Sequence, residues 1–339
     1  MSRVTFEGAR TRAFAIALTL LLAPASTFAG QGGTTAGSGD GPGRPADASN
    51  QKERIHIVVQ DHCLRVVAAG VRTRNSGTPT TGGLIALPPG PSAGSIVWAG
   101  LYWDILSNFP PPNAVTLNGA AVVPVPLPVT ASPCWSELYA FPYFADVTAL
   151  AVPGVNVVAG LDDSGILGTG PESEGASLVV IYKSETSSSC EIIVTDGNDL
   201  TTLLGQVIDN PLPVTCPPGL PGNLYFIGGD GQGPAFGYAD DQRWNGAALG
   251  DGDDFDGSDP ATAGVLPDFA WDTDLHGVPV VPPFVASLTI PIAPAPPNVT
   301  GDCINWLATV LEVGPYENPN CRPVPTSRTT WGRMKGSYR

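Results

Sequence analysis

The clearest period-two pattern in the chain lies between Gly175 and Gly197. In its first arm Leu178 and Val180 fall on one face of an extended segment and Val179 and Ile181 on the other, so both faces ask for cover. After the polar link Ser184 to Ser189 the pattern resumes as Cys-Glu-Ile-Ile-Val-Thr-Asp-Gly, again rich in β-branched residues. This spacing predicts a β-hairpin in the interior of a two-layer β structure. Ser95 to Asp104 predicts a mid-sheet strand, with Ile96, Trp98 and Tyr102 on one face and Val97, Ala99, Leu101 and Trp103 on the other. Its aromatics read as core packing. Asn118-Gly119, between Ala114 to Leu117 and Ala121 to Val125, is the signature of a type I′ hairpin turn. Shorter β runs occupy Ile55 to Gln60, Leu64 to Val71, Glu137 to Val147, Val155 to Leu161, Leu224 to Ile227, Phe284 to Ile290 and Cys303 to Val313. No helical period persists, and 41 Gly and 36 Pro punctuate the chain too often for one. The pattern therefore predicts an all-β fold, a jelly-roll-like β-sandwich of roughly 10 to 12 strands with long loops.

The ends of the chain differ from this body. Residues 1 to 29 have the form of a secretory signal: Arg3, Arg10 and Arg12, an apolar run from Ala13 to Ala23, and the small-residue exit Thr27-Phe28-Ala29. Pro24 and the shortness of that run favour cleavage over a membrane anchor. Residues 30 to 53 are a Gly/Ser-rich leader with almost nothing to bury, and they predict a flexible segment. The β-sandwich is assigned to residues 54 to 314 and a basic tail to residues 315 to 339. The six cysteines form an even set in a chain read as exported to the cell surface or beyond, so disulfides are expected. A strand that starts at Cys303, followed by a segment that doubles back, suggests the pair Cys303 and Cys321.

Charge narrows the partners. The formal net charge is -15, and removal of the signal brings it to about -17. Between Asn75 and Cys321 only Lys183 and Arg243 are basic, against 26 acidic residues. Such a body repels nucleic acid and anionic membranes. The partner it leaves open is a protein or a glycan at the cell surface. Arg322, Arg328, Arg333, Lys335 and Arg339 all fall in the tail, where Trp331 and Tyr338 are candidate docking anchors for an export or attachment partner.

Four segments, in order, carry a resemblance: Ile96-Val-Trp-Ala-Gly-Leu-Tyr-Trp103; Tyr143-Phe-Ala-Asp-Val-Thr148; Gly175-Ala-Ser-Leu-Val-Val-Ile-Tyr182 with Ile193-Val-Thr-Asp-Gly197; and Asp302 ahead of Trp306-Leu-Ala-Thr-Val-Leu-Glu-Val313. Together they resemble a domain of unknown function that recurs in bacterial and archaeal secreted or cell-surface proteins, often beside adhesin-like repeats. The resemblance covers most of Ser95 to Val313. It rests on strand and turn patterns, and it implies no catalytic residues.

The richest candidate chemistry is the acidic stretch Asp240 to Asp274. Asp251, Asp253, Asp254, Asp256 and Asp259, interleaved with glycine, supply hard oxygen donors at a density that suits Ca²⁺. The spacing is not that of an EF-hand, because Asp259 stands where Gly is needed and Val265 where the bidentate Glu belongs. The competing reading is a solvated acidic loop. His56, His62 and His276 show no metal-protease spacing, and no Gly-x-Ser-x-Gly elbow is present. The sequence thus points to a non-enzymatic interaction or adhesion module, with Ca²⁺ as the candidate ion. A carbohydrate-binding module or a glycoside hydrolase is the alternative.

Overall fold

The computed structural model describes residues 54–59, 63–74, 80–131, 139–163, 171–201, 207–231, 240–250, 254–255, 270–289, 304–317 and 321. Its strands, in chain order, are β1 (Arg54–Val59), β2 (Leu64–Arg72), β3 (Thr80–Ala86), β4 (Ile96–Ser107), β5 (Thr116–Leu117), β6 (Ala120–Ala121), β7 (Val125–Pro126), β8 (Thr130–Ala131), β9 (Tyr139–Asp146), β10 (Val155–Asp163) and β11 (Glu172–Lys183). They continue as β12 (Ser187–Ser188), β13 (Glu191–Thr201), β14 (Val207–Pro211), β15 (Leu220–Gly231), β16 (Asp241–Trp244), β17 (Ala247–Ala248), β18 (Ala270–Val280), β19 (Val285–Thr289), β20 (Ile304–Val313) and β21 (Tyr316–Glu317). All pairings are antiparallel, and no helix occurs among the described residues. The fold is all-β and sandwich-like. Of the 21 strands among the described residues, seven are two-residue segments such as β5 and β6, too short to leave a period in the sequence, and the other 14 still exceed the 10 to 12 expected.

The sheets stack in four layers. Layer two holds β2, β11, β4 and β9, and β10 leaves it after one pairing, Asp163 with Glu172, to build layer one with β3, β5 and β6. Layer three is β1-β13-β20-β15-β18, and layer four is β14-β19-β16-β17. Three apolar cores separate them. Leu101, Trp103, Leu178 and Val180 meet Ile85, Leu117 and Val158 between layers one and two. Trp98, Tyr102, Val179 and Ile181 meet Val194, Tyr225, Trp271 and Val310 between layers two and three. Phe226, Trp306 and Leu311 meet Leu212, Trp244 and Leu288 between layers three and four. The two-faced apolar pattern of the Leu178 segment follows from this stacking, since an inner strand has protein on both sides.

The predicted hairpin is not one. β11 pairs with β2 and β4, whereas β13 pairs with β1 and β20, so the two arms lie in different sheets. The link between them is an arch that crosses from layer two to layer three. Ser184 Oγ accepts from the Ser187 N–H at 3.1 Å and bonds Ser187 Oγ at 2.8 Å, and β12 within the arch pairs with β21. Arms that need cover on both faces gain more by stacking than by lying side by side. In β4 a register shift next to Trp98 moves Ile96 to the core of Leu101 and Val97 to that of Trp98, the reverse of plain alternation. The Asn118-Gly119 turn is as read: both residues have positive φ, 53° and 80°, and Leu117 pairs with Ala120.

The cysteines also differ from expectation. Cys321 bonds Cys63, with a Cα separation of 5.5 Å, and not Cys303, which lies outside the described residues. Cys190 bonds Cys216. The chain doubles back after β20, as expected, but it arrives beside the start of β2 rather than its own origin. Near this pole the buried Glu312 of β20 accepts from Arg65 Nε at 2.5 Å and Nη2 at 3.2 Å. It also accepts from the Val66 N–H, Ser189 Oγ and Asn223 Nδ2, and so joins layers two and three through one carboxylate.

Removing one partner of such a pair leaves a charge in a dry site. Arg65→Met is expected to lower unfolding free energy by about 3 kcal/mol, read as a shift of the urea midpoint at constant slope. A loss below about 1 kcal/mol would show that Glu312 is reached by water.

Candidate functional site

At the pole opposite the disulfides, the central core ends in charge. Position 104 continues the row of Trp98 and Tyr102, so β4 turns Asp104 toward layer three, where it is fully buried. Asn305 of β20, also fully buried, donates from Nδ2 to Asp104 Oδ2 at 2.5 Å. On β11 the register shifts between Ser173 and Ala176, a bulge lying across from Asp104. Glu174 thereby reaches layer three: a Cβ placed on Gly229 of β15 would overlap Glu174 Oε2, and Gly229 is the cross-strand partner of Asn305. Asp104, Glu174 and Asn305 therefore share one small space, with glycine at 229 because a side chain there would fill it.

Arg74, just beyond β2, supplies the cation. Its Nη1 lies 2.9 Å from Glu174 Oε1 and its Nε 3.3 Å from Glu172 Oε2, with the guanidinium nearly sealed from solvent. The Thr73 N–H donates to Glu174 O at 2.8 Å, and Thr73 Oγ1 donates to Ser173 O at 2.8 Å, so backbone fixes the approach of both glutamates. Holding ionised groups in the interior costs several kcal/mol each before pairing offsets it, and such expense marks a site candidate.

A second polar group lies between layers three and four. The Gln242 N–H donates to Asp254 Oδ2 at 2.6 Å, its Nε2 donates to Asp274 Oδ2, and its Oε1 lies 2.6 Å from His276 Nε2. Since Gln242 Nε2 is committed to Asp274, its Oε1 is the acceptor and His276 Nε2 carries the hydrogen. The Phe255 N–H donates to Asp240 Oδ1 at 3.0 Å. Desolvation lowers the His276 pKa, which keeps the ring neutral, and the ring meets Phe226 edge-on.

Of the predicted calcium ligands, only Asp254 is among the described residues, and there it caps the backbone of β16. Asp251, Asp253, Asp256 and Asp259 lie outside them, as do the tail residues Trp331 and Tyr338. Among the described residues, no three His, Cys, Asp or Glu side chains are grouped to hold a metal by themselves. The Asp104 cluster was overlooked in the sequence. Its signal was a carboxylate in phase with Trp98 and Tyr102, an inward position for an ionised residue.

The five described tryptophans, Trp98, Trp103, Trp244, Trp271 and Trp306, are all buried in the cores. Trp271 Nε1 donates to Ser177 Oγ at 2.6 Å across layers two and three. The exposed apolar surface lies elsewhere. On the outward face of layer one, Leu84 pairs with Val157 and Ala86 with Val155, and Leu84, Val155 and Val157 are 57%, 55% and 48% exposed.

A lowered histidine pKa has a defined sign. Above the unfolded value of about 6.5 both states are neutral and nothing is lost. As pH falls below it the unfolded chain takes up the proton first, so stability drops. The melting temperature of the native chain is therefore expected to fall more steeply between pH 7 and 5 than that of His276→Gln, which keeps a donor to Gln242. Parallel curves would refute the assignment.

No family model matches the chain, and no curated protein matches it.

Proposed function

We propose that this chain is a non-enzymatic, secreted or surface-associated β-sandwich that acts by binding, as an interaction or adhesion module. The observation that carries the reading is the uncovered face of β3 and β10. Ile85 and Val158 turn inward to the core, as a one-sided sheet requires, yet the outward positions Leu84, Ala86, Val155 and Val157 are aliphatic too. An antiparallel sheet that faces water ordinarily alternates apolar with polar. Two adjacent aliphatic cross-strand pairs on a chain of net charge -15 make an uncharged contact strip on an acidic molecule.

The burial of five tryptophans weighs against the carbohydrate-binding alternative, which needs exposed, coplanar rings. The two disulfides support an oxidising compartment. No described helix is long and apolar enough to cross a membrane.

The test is retention of the fluorescently labelled full chain on the surface of cells that produce it. Leu84→Lys combined with Val157→Lys is expected to cut retention about tenfold, because charge in a contact core is strongly disfavoured. Its melting temperature should hold, both side chains being exposed. Val123→Lys, at another exposed aliphatic position, serves as control. Undiminished retention by the double variant would dismiss the strip as the contact, and release of reducing sugar from the surface would favour the glycosidase reading instead.

A further inference from the structure

We infer that the buried pole formed by Asp104, Glu174 and Asn305 is a divalent-cation site between layers two and three, with the ligand chemistry of Ca²⁺. The site is independent of the interaction reading, and its ligands come from β4, β11 and β20 rather than from the acidic stretch Asp251 to Asp259.

The two carboxylates alone would not carry the inference. What points to a ligand is Asn305. Its amide is fully buried and its orientation is set, because Nδ2 donates to Asp104 Oδ2. That leaves Oδ1 as a buried acceptor with no hydrogen-bond donor. A desolvated amide oxygen without a partner costs about 1 to 3 kcal/mol, so native structures rarely keep one. Its neighbours here are carboxylates, which accept and do not donate when ionised. A positive ion satisfies an amide oxygen and carboxylates at once, whereas a bridging water would meet the hydrogen bonds and leave the net buried negative charge unopposed.

The remaining features fit such an ion. Arg74 holds Glu174 by Oε1, which presents Oε2 over Gly229, next to Asn305. The backbone bulge at Glu174, across from Asp104, is the device that brings this carboxylate to the inner face. Ca²⁺ takes carboxylate and Asn carbonyl oxygens in flexible geometry and accepts water for the rest, whereas Mg²⁺ demands a near-ideal octahedron. Two carboxylates and one amide oxygen from three different strands match the first description. They also leave the group short of three acidic side chains, in keeping with the absence of a purely acidic metal cluster among the described residues.

The site carries its own reporter. Trp271 Cε3 lies 3.3 Å from the point where a Gly229 Cβ would stand, the same point that Glu174 Oε2 crowds. Terbium bound there would be excited through the indole. The experiment titrates Tb³⁺ into the full, disulfide-intact chain, follows terbium emission on indole excitation, and then displaces Tb³⁺ with Ca²⁺. Wild type is expected to emit and to be quenched by Ca²⁺. Glu174→Gln and Asp104→Asn should each weaken binding by about tenfold or more, as loss of a ligand does. Trp271→Phe should dim the emission while calorimetric Ca²⁺ affinity holds. The combined Asp251, Asp253, Asp256 and Asp259→Asn variant should emit as wild type does.

Each variant is first compared with wild type by its melt without metal, and Glu174→Gln decides the matter if Asp104→Asn fails to fold. Absence of emission in wild type at saturating Tb³⁺ would overturn the proposal. So would emission that survives Glu174→Gln, or that disappears in the fourfold aspartate variant.

Discussion

The central strands of the two inner sheets have no face toward water. β20 is buried along its whole length, and β11 is buried at every position but Lys183. A polar group on either strand cannot fall back on solvent, so its partner must come from a neighbouring strand or the facing layer. Glu312 draws its donors from β2, β15 and the arch, Ser177 meets Trp271 and Thr273, and Asp104 meets Asn305. Apolar burial pulls the layers together without direction, while these few contacts decide how they lie on one another. A slip of one residue would exchange the side chains of the two cores and strand each polar group in hydrocarbon.

Much of this was legible from period two alone. Apolar residues on both faces of Leu178 to Ile181 required an inner strand, and the Trp98 row required a mid-sheet one. What alternation does not encode is the identity of the neighbour. A short polar link serves a hairpin and an arch equally well, and the choice falls to pairings with β2, β4 and β20 that are distant in sequence. Cys321 likewise reaches Cys63 across 258 positions, a proximity that exists only once the layers have stacked.

The candidate cation pole was half visible for the same reason. Asp104 stands in phase with Trp98 and Tyr102, so its inward direction could be read from spacing. Glu174 is in phase with Leu178 and Val180, which face the other core, and only the bulge between Ser173 and Ala176 reverses it. A bulge is a property of two strands together and leaves little trace in one. The acidic residues that stand out by sheer density, near Asp251, drew attention from three polar residues that are scattered over the chain and adjacent in space.

The pairing of Cys63 with Cys321 has a mechanical consequence. Tension applied to the chain beyond Cys321 enters the disulfide and passes to the first residue before β2, an edge strand of layer two whose described partner is β11. It bypasses β20, which sits between β13 and β15 and would otherwise be peeled out one hydrogen bond at a time from its Val313 end. The covalent link closes residues 64 to 320 into a loop, so tension between the two ends of the chain runs from Cys321 through Cys63 toward β1 and leaves the pairing of β2 with β11, and of β20 with its neighbours, out of the loaded path.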